Sequence, residues 1–395
     1  MELSLGMRDI YPKEARLRKK IRETLCNLFE RWGYEEVEPP TIESYEVLSK
    51  TIGKEIRERM VQFVNREGKL VCLRPEFTTS VVRMFAKEST EDLPRRVYYA
   101  GKIFRYPSSP FRFESELTQI GVENIGANTR ASDAEVIALA VSALQAAGME
   151  EFQVDIGHVG IFRYLLSRLP LSEDEKNVVK ELLKGKDFVA LQGFWEAKKL
   201  HTHPVASFFL RFPFLRGKED IFAAEREHFP DPEWWQILDY LREIFHILRD
   251  FGLEKQLFVN LGLIRDFDYY TGVIWEGFSP HLGYPILAGG RYDELFRLFG
   301  KNFPACGFAL FVERVVEVMQ KGGKEECPFI VRLIYPPKWR SRAFQMAEKL
   351  RREGLGVVME EKEGEAFFLT TPEKTLRFSL QESDNLELMV KELRS

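Results

Sequence analysis

Strand-like patterns occur in two blocks of this sequence, and a long stretch of helical character separates them. The first block covers residues 70–73, 97–104 and 116–125, and the second covers residues 257–263, 273–278 and 286–288. Residues 172–251 carry charged and aromatic side chains at helical spacing, interrupted by prolines. We therefore expect one sheet with strands from both blocks and a helical insertion between them. The chain has 395 residues, which is too many for one compact core at roughly 150 residues per domain.

Helical periodicity predicts the elements that cover this sheet. Residues 14–31 place an apolar side chain at every fourth position, which gives one apolar stripe on a charged helix. Residues 131–147 carry small and apolar side chains on most faces, so we expect that helix to be buried. The other predicted helices are 78–87, 173–183, 193–200, 232–251, 293–299 and 311–320.

A separate small domain is predicted at the C-terminal end. Residues 321–326, Lys-Gly-Gly-Lys-Glu-Glu, have the composition of a linker. After them we predict strands at 329–334, 357–360, 367–370 and 376–380, a helix at 341–353, and a last helix from Leu386. Residues 325–395 contain 12 Lys plus Arg and 13 Asp plus Glu, so no basic face for RNA is expected there.

Charge and cysteine content argue against several classes of protein. The net charge is -4, from 57 Lys plus Arg and 61 Asp plus Glu, which gives no overall basic field for nucleic acid. The cysteines lie far apart without CxxC spacing, so neither a metal site nor a disulfide framework is expected: Cys26, Cys72, Cys306 and Cys327. The N-terminus lacks a signal-peptide pattern, and no run of 18 apolar residues occurs. We expect a cytoplasmic protein with no membrane association.

Four clusters place polar or charged side chains in strand-like, otherwise apolar surroundings: residues 73–78, 104–123, 263–276 and 288–314. A buried charge is costly unless it is paired or bound to a ligand, so each cluster is a candidate site. Each also has a purely structural interpretation. Internal ion pairs would account for Arg105, Glu123, Arg265 and Asp268, and core aromatic packing would account for Tyr269 and Tyr270. Gly289 and Gly290 would form a turn. Glu313 and Arg314 would lie on an exposed helix face.

Together and in this order, the clusters resemble the histidyl-tRNA synthetase family, which includes the regulatory subunits of ATP phosphoribosyltransferase. Residues 33–40, 104–123 and 307–314 resemble its three class II signatures. Met7-Arg-Asp-Ile-Tyr-Pro12 resembles its N-terminal motif, and two further stretches, Asp268-Tyr-Tyr-Thr-Gly and Gly289-Gly-Arg-Tyr-Asp, resemble its histidine-specific motifs. The resemblance covers about residues 5 to 320, and the last 70 or so residues match poorly.

This resemblance implies an α+β fold. We expect a class II synthetase-like, mostly antiparallel sheet flanked by helices, with a helical insertion and a small C-terminal α/β domain. The core is placed at residues 1–170 and 251–320, the insertion at 171–250, and the C-terminal domain at 327–395. Because residues 33–40 resemble a dimer-forming element, a homodimer is expected.

The resemblance also implies an intact pocket for L-histidine. Glu76, Thr78 and Gln119 would accept from its ammonium group, and Arg265 would pair with its carboxylate. Glu123 and Tyr270 would bind the two imidazole nitrogens, which no other amino acid presents in that arrangement. Arg105 and Tyr269 complete the predicted histidine-binding set.

On the ATP side the sequence departs from the family. After Arg105 the family has Glu-Arg-Pro and then a Gly-Arg-x-Arg loop that clamps the triphosphate. This chain has Pro107, Ser108 and Ser109 there, then Arg112, displaced by one position, followed by Phe113. Two phenylalanines, Phe77 and Phe311, replace glycines of the family. We therefore expect only a degenerate nucleotide site, formed by Arg105, Arg112 and Arg314, with no adenylate formation and no cofactor.

These features predict a non-catalytic regulatory subunit of ATP phosphoribosyltransferase. It would partner the short-form catalytic subunit in the first step of histidine biosynthesis, activate it, and mediate feedback inhibition by histidine. The short C-terminal domain argues against binding of tRNA. One alternative is a divergent histidyl-tRNA synthetase or another histidine-activating paralogue, supported by Arg105, Arg265 and Arg314. A second is a histidine-binding protein without a transferase partner.

Overall fold

The chain forms two compact units, Met1–Gly323 and Lys324–Ser395, and each is described by itself. The computed structural model describes residues 6–89, 93–107, 114–264, 269–321, 330–364, 366–370 and 375–378. Most of the predicted linker and the predicted helix from Leu386 lie outside these residues.

The strands of the first unit are numbered in chain order. They are β1 (Glu35–Glu36), β2 (Ile42–Ser44), β3 (Gln62–Val64), β4 (Leu70–Leu73), β5 (Arg95–Phe104), β6 (Glu116–Ile125), β7 (Gln153–His158), β8 (Arg216–Gly217), β9 (Leu257–Asn260), β10 (Val273–Phe278), β11 (Leu287–Arg291) and β12 (Ala305–Phe311).

The helices of this unit flank the strands. They are α1 (Pro12–Arg31), α2 (Tyr45–Thr51), α3 (Lys54–Glu58), α4 (Thr78–Phe85), α5 (Arg130–Ala146), α6 (Val159–Ser167), α7 (Glu173–Lys184), α8 (Phe188–Ala197), α9 (Pro204–Phe209), a 3-10 turn (Phe212–Phe214), α10 (Asp220–Arg226), α11 (Pro232–Asp250), α12 (Asp293–Arg297) and α13 (Val312–Lys321). No helix within the described ranges is long and apolar enough to cross a membrane.

Nine of the described strands form one mixed sheet in the order β1-β5-β6-β12-β11-β10-β7-β9-β8. The β1–β5 and β7–β9 pairs are parallel and the other pairs are antiparallel. Strands from both sequence blocks therefore share one mostly antiparallel sheet, as predicted. The prediction was wrong for residues 70–73 of the first block, which form β4 and lie outside this sheet. The strands β2, β4 and β3 form a second, small sheet that the sequence did not predict.

Alternation along the strands gives the large sheet two different faces. Even-numbered residues of β6, such as Ile120 and Val122, pack into the core with α1 and α5. Odd-numbered residues, which include Gln119 and Glu123, face the side of α4 and α12. The helix α5 is buried along most of its length, as predicted, and Thr129 begins it with a capping box.

The helices between β7 and β9 pack into the same core as the sheet. Fully buried aromatic side chains from α8, α9 and α11, including Trp195, Phe209 and Trp234, belong to that core. The prediction that α8 begins at Gly193 was wrong. The side chain of Asp187 caps this helix, which begins at Phe188.

The interpretation of Gly289 and Gly290 as a turn was also wrong, because both lie within β11. A Cβ atom on Gly289 would lie 2.5 Å from the Gly307 carbonyl oxygen, and one on Gly290 would lie 2.6 Å from the ring of Tyr270. Glycine is required here by close packing across the sheet rather than by a turn.

The second unit contains β13 (Ile330–Tyr335), a 3-10 turn (Pro337–Trp339), α14 (Arg340–Arg352), β14 (Gly356–Glu361), β15 (Phe367–Thr370) and β16 (Thr375–Phe378). Its sheet has the order β14-β13-β15-β16, with β13 and β14 parallel. The buried residues of α14, such as Ala343 and Leu350, pack with Val331 and Leu333 of β13. The second unit is therefore a small sheet with a helix packed on it, which agrees with the predicted small C-terminal α/β domain.

Candidate ligand-binding site

A cavity lies on the α4 side of the large sheet, where β6, β12 and β11 run side by side. It encloses about 430 Å³ of empty space, part of it open to solvent. The strand alternation brings the odd-numbered residues of β6 and β12 to this face. The cavity is lined by Glu76, Thr78, Arg105, Gln119, Tyr269, Tyr270, Ala288, Tyr292, Gly307, Phe308, Ala309 and Phe311.

Two oxygen atoms in this wall are buried hydrogen-bond acceptors without a partner. Glu76 is only 3% exposed, and its Oε1 accepts from the backbone N–H of Thr79 at 3.0 Å. Its Oε2 and the Oε1 of Gln119 accept no hydrogen bond within the described residues. Burial raises the pKa of the Glu76 carboxyl above its ordinary value. A ligand with several N–H donors would satisfy both oxygens.

Glu123 lies behind the wall and accepts hydrogen bonds from three hydroxyl groups. Thr78 donates to Oε1 at 2.8 Å, Tyr99 donates to the same oxygen at 3.4 Å, and Tyr292 donates to Oε2. Burial raises the pKa of Glu123 to about 8, although the hydroxyl donors of Tyr292 and Thr78 act in the opposite direction. Among the described residues, Thr78 and Tyr292 line the cavity and Glu123 does not.

Gly307 makes room for this carboxylate. A Cβ atom there would lie 1.8 Å from Glu123 Oε2 and 2.3 Å from the Val122 carbonyl oxygen. Any other residue at this position would displace either the carboxylate or the neighbouring strand. The third class II signature therefore begins with a glycine that fixes the position of Glu123.

Two adjacent tyrosines form another part of the cavity wall. The ring centroids of Tyr269 and Tyr270 are 4.9 Å apart, and those of Tyr269 and Tyr292 are 5.9 Å apart. The backbone carbonyl of Tyr270 accepts from Arg163 Nη2 at 2.8 Å, which ties this segment to α6. Burial raises the pKa of Tyr269 well above its ordinary value, so its hydroxyl is neutral near pH 7.

Phe311 separates the two described arginines of the predicted nucleotide site. The Arg105 Cζ lies 5.5 Å from the centre of the Phe311 ring, and the Arg314 Cζ lies 4.0 Å from it. Arg314 also packs over Tyr284 and donates to the carbonyl oxygen of Pro285. Among the described residues, Arg105 lines the cavity and Arg314 does not. The phenyl ring thus packs against both guanidinium groups and forms part of the cavity wall.

Phe77, which also replaces a glycine of the family, points elsewhere. Its ring stacks on Tyr99 with centroids 4.3 Å apart, and the guanidinium of Arg74 lies 4.0 Å above it. Phe77 is not one of the described residues that line the cavity, so it does not narrow the cavity directly.

Part of the predicted site lies outside the described residues, namely Arg112 and Arg265. The structure brings six predicted residues to one cavity wall, with Glu123 directly behind it: Glu76, Thr78, Arg105, Gln119, Tyr269 and Tyr270.

The second histidine-specific motif contributes to both faces of the sheet. Tyr292 faces the cavity, whereas Arg291 forms a buried ion pair with Asp133 at 2.5 Å and also bonds Asp293. Tyr240 of α11 donates to the same Asp133. Tyr292 was missed as a site residue, although it follows Arg291 in the motif, and strand alternation was the signal that could have identified it.

Glu313 is another residue whose role the sequence analysis missed. The interpretation of Glu313 as part of an exposed helix face was wrong, because its carboxylate is buried. It accepts from Arg18 of α1 at 2.6 Å and from the backbone N–H of Thr118. Glu313 therefore joins α13, α1 and β6 beneath the site.

Comparison with known proteins identifies the family. A family model described as histidyl-tRNA synthetase matches residues 6–315. The chain belongs to the histidyl-tRNA synthetase family. Within it, the chain is 35% identical over 357 residues to an ATP phosphoribosyltransferase regulatory subunit from Caldanaerobacter subterraneus, covering 90% of this chain and 93% of that protein. It is 36% identical over 355 residues to the regulatory subunit from Acetivibrio thermocellus, covering 89% and 85%.

Solved structures of this family share the fold. An ATP phosphoribosyltransferase regulatory subunit/histidyl-tRNA synthetase from Bacillus halodurans matches with a TM-score of 0.79 and 29% identity, covering 91% of this chain and 92% of that one. Histidyl-tRNA synthetase from Nostoc sp. PCC 7120 matches with a TM-score of 0.80 at 17% identity, over 98% and 99% of the two chains. These structural matches confirm the predicted class II synthetase-like fold. The sequence matches confirm the prediction that the chain is related to ATP phosphoribosyltransferase regulatory subunits.

Proposed function

We propose that this chain binds L-histidine in the cavity and, as a non-catalytic regulatory subunit, controls a short-form ATP phosphoribosyltransferase catalytic subunit in the cytoplasm. The relatives are named as regulatory subunits of that enzyme, which supports the class of partner. Histidine would act as the feedback signal in the first step of histidine biosynthesis. The proposed histidine-binding residues are Glu76, Thr78, Arg105, Gln119, Glu123, Arg265, Tyr269 and Tyr270.

The observation that carries the proposal is the pair of unpartnered buried oxygens, Glu76 Oε2 and Gln119 Oε1. A buried acceptor without a donor costs about 1–3 kcal/mol, which a ligand ammonium group would recover. Thr78 Oγ1 lies beside them in the wall and supplies a third acceptor. An α-amino acid whose side chain also carries an N–H donor fits this arrangement.

Phe311 supports the absence of catalysis. Adenylate formation needs a nucleotide held in line with the amino-acid carboxylate. The phenyl ring occupies the space between Arg105 and Arg314, and the latter guanidinium is held by Pro285 and Tyr284. An amino acid would bind without being activated, and this is the property of a sensor.

The test combines binding with partner control. Calorimetry should detect L-histidine binding to the purified chain, and Glu76→Gln should lose about tenfold or more in affinity, because one charged acceptor is removed. Lys54→Gln, which changes an exposed side chain of α3, is the control and should bind like the wild type. Co-expression with a short-form catalytic subunit should yield one complex on size exclusion, and transferase activity should depend on this chain. Separate elution and unchanged activity would refute the regulatory role.

The alternative of a divergent histidyl-tRNA synthetase is favoured by one observation, since Arg105 lines the cavity. A histidine-dependent ATP–pyrophosphate exchange assay with a tRNA-charging assay distinguishes the two. We expect no exchange and no charging. Robust exchange would support the synthetase, and histidine binding without any effect on the transferase would support a free histidine-binding protein.

We also propose a homodimer, formed through the region of residues 33–40 and the small sheet that follows it. That sheet exposes Ile42, Phe63, Val64 and Leu70, which is a concentration of large apolar side chains. Phe63→Ser should shift the chain towards monomer in light scattering. Val189→Ser, which changes an exposed apolar residue of α8, should leave the dimer intact. A monomeric wild type would contradict the proposal.

A further inference from the structure

Tyr240 connects the helical insertion to a strand of the cavity wall. It lies on α11, and its hydroxyl donates to the Asp133 carboxylate of α5, which is completely buried. Burial raises the pKa of Tyr240, so the hydroxyl keeps the proton that it donates. Asp133 also forms the buried ion pair with Arg291 of β11. One carboxylate therefore bonds both the insertion and the large sheet.

The Arg291 side chain is held on the face of β11 opposite the cavity. Nε and Nη2 donate to Asp133, Nη1 donates to Asp293 at 2.9 Å, and Nη2 also donates to the Ala127 carbonyl at 3.1 Å. Gly272 lies against its aliphatic chain, since a Cβ atom there would lie 3.0 Å from Arg291 Cδ. Because each guanidinium nitrogen is bonded and the aliphatic chain is packed, a displacement of Arg291 carries Asp133 with it.

The cavity side of the same strand is also closely packed. Gly290 precedes Arg291 and lies against the ring of Tyr270, which lines the cavity. A Cβ atom on Gly290 would lie 2.6 Å from that ring, so the ring rests directly on the β11 backbone. Protein interiors packed at this density transmit displacements instead of absorbing them. A shift of the Tyr270 ring therefore displaces β11 and the Arg291 side chain on its opposite face.

We propose that the bonds of Tyr240 and Arg291 to Asp133 couple ligand occupancy of the cavity to the helical insertion, with Tyr240 as a positioning residue rather than a ligand contact. This inference rests on the proposed function and goes beyond it, because it assigns the route by which the bound state is passed on. The route runs from Tyr270 through Gly290 and Arg291 to Asp133. From Asp133 it reaches α11.

The helix α11 passes a displacement on to the rest of the insertion. Its buried side chains include Trp234, Leu238 and Phe245, which belong to the same hydrophobic core as buried residues of α8 and α9. The rings of Trp234 and Phe208 of α9 meet edge-on, with centroids 5.7 Å apart. Since these helices share one close-packed core, they respond together to a movement of α11.

Tyr98 provides a matched control for the experiment. It is also buried, and its hydroxyl donates to Glu30 Oε1 at 2.9 Å, which joins β5 to α1. Tyr240→Phe and Tyr98→Phe each remove one tyrosine–carboxylate bond and keep the ring, but only the first breaks the connection to the insertion. Neither tyrosine is among the described residues that line the cavity. Thermal denaturation of both variants identifies any loss of folding.

The experiment follows backbone hydrogen exchange of the wild type, Tyr240→Phe and Tyr98→Phe with and without saturating L-histidine. In the wild type and Tyr98→Phe, histidine should slow exchange about threefold or more in both β11 and α11. In Tyr240→Phe, exchange should still be slowed in β11 but not in α11. Calorimetry should give Tyr240→Phe a histidine affinity within about threefold of wild type.

A transferase assay with the short-form catalytic subunit measures the consequence for control. At saturating histidine, the mixture with Tyr240→Phe should keep about fivefold or more activity relative to the wild-type mixture, because the ligand still binds but its effect is no longer passed on. Tyr98→Phe should be inhibited like the wild type.

The possible failures can be told apart. This inference fails, with the proposed function intact, if histidine slows exchange in β11 but not in α11 of the wild type. It also fails if α11 responds equally in Tyr240→Phe, or if Tyr98→Phe loses the response as well. The wild-type measurement decides the point even if Tyr240→Phe does not fold. If the wild type binds no histidine, the proposed function and this inference both fail.

Discussion

The two ends of strand β12 both line the cavity, and they carry different side chains. At the proposed amino-acid end, Gly307 leaves room for Glu123, its register partner on β6, and Glu76 Oε2 is a buried oxygen without a partner among the described residues. At the other end of β12, the proposed nucleotide end, Phe311 lies opposite Gln119 and packs against Arg314. Under the proposed function, this difference teaches that local changes within one sheet separate the binding of an amino acid from its activation.

Gly307→Ala should have the largest effect on the proposed amino-acid end of the cavity. Its Cβ would lie 1.8 Å from Glu123 Oε2, so the carboxylate or the strand must move. We expect loss of detectable histidine binding and destabilisation by about 1–3 kcal/mol, as for other overpacked cores. Calorimetry and denaturant unfolding check this. Gly283→Ala, where no atom lies within 4 Å, is the control and should change neither property.

Glu76→Gln should separate binding from stability. Burial raises the pKa of this carboxyl, so its ionised form is costly in the folded protein. Besides weakening histidine binding, the variant should raise the melting temperature at pH 8, where the unfolded carboxyl is ionised. A variant that is destabilised at pH 8 would show that the Glu76 charge stabilises the fold, contrary to this account.

Glu123 should make stability depend on pH. Its pKa is about 8 in the folded chain, above the ordinary carboxyl value of 4.5. The folded protein therefore holds a proton that the unfolded chain releases, and stability should fall as pH rises from about 5 to 8 and then level off. Melting curves of wild type and Glu123→Gln should converge at low pH and separate towards pH 8. Parallel curves would contradict the raised pKa.

Phe311→Ala should have the smallest effect on histidine affinity. Because the ring lies at the proposed nucleotide end, we expect histidine affinity within about threefold of wild type, despite a loss of stability of about 3–5 kcal/mol for a buried phenyl group. The variant should also gain weak ATP binding, measured by titration with a fluorescent ATP analogue. A large loss of histidine affinity without nucleotide binding would show that Phe311 belongs to the amino-acid end.

Much of the fold could be predicted because the strand patterns are strong. The bounds of β6 were predicted to the residue, and the burial of α5 followed from its composition. The small sheet of β2, β4 and β3 could not be predicted, because β2 and β3 are short and partly exposed. Gly289 and Gly290 look like a turn in sequence, and only the rings packed against them reveal the strand.

The site was predicted through the order of its motifs rather than through any single residue. Motif order cannot say which side of a strand a residue faces, so Tyr292, whose hydroxyl donates to Glu123, was missed. The assignment of Arg314 to a nucleotide site stays a prediction. Motif order also cannot reveal that three hydroxyl groups donate hydrogen bonds to Glu123. The donors Thr78, Tyr99 and Tyr292 come from distant parts of the chain.

The most direct test of histidine sensing is a transferase assay. A short-form ATP phosphoribosyltransferase catalytic subunit is mixed with wild type or Glu76→Gln, and activity is measured as L-histidine is increased. The account predicts that activity requires this chain, that histidine inhibits the wild-type mixture, and that Glu76→Gln needs about tenfold or more histidine for the same inhibition. Activity that ignores this chain, or equal inhibition with both forms, would contradict it.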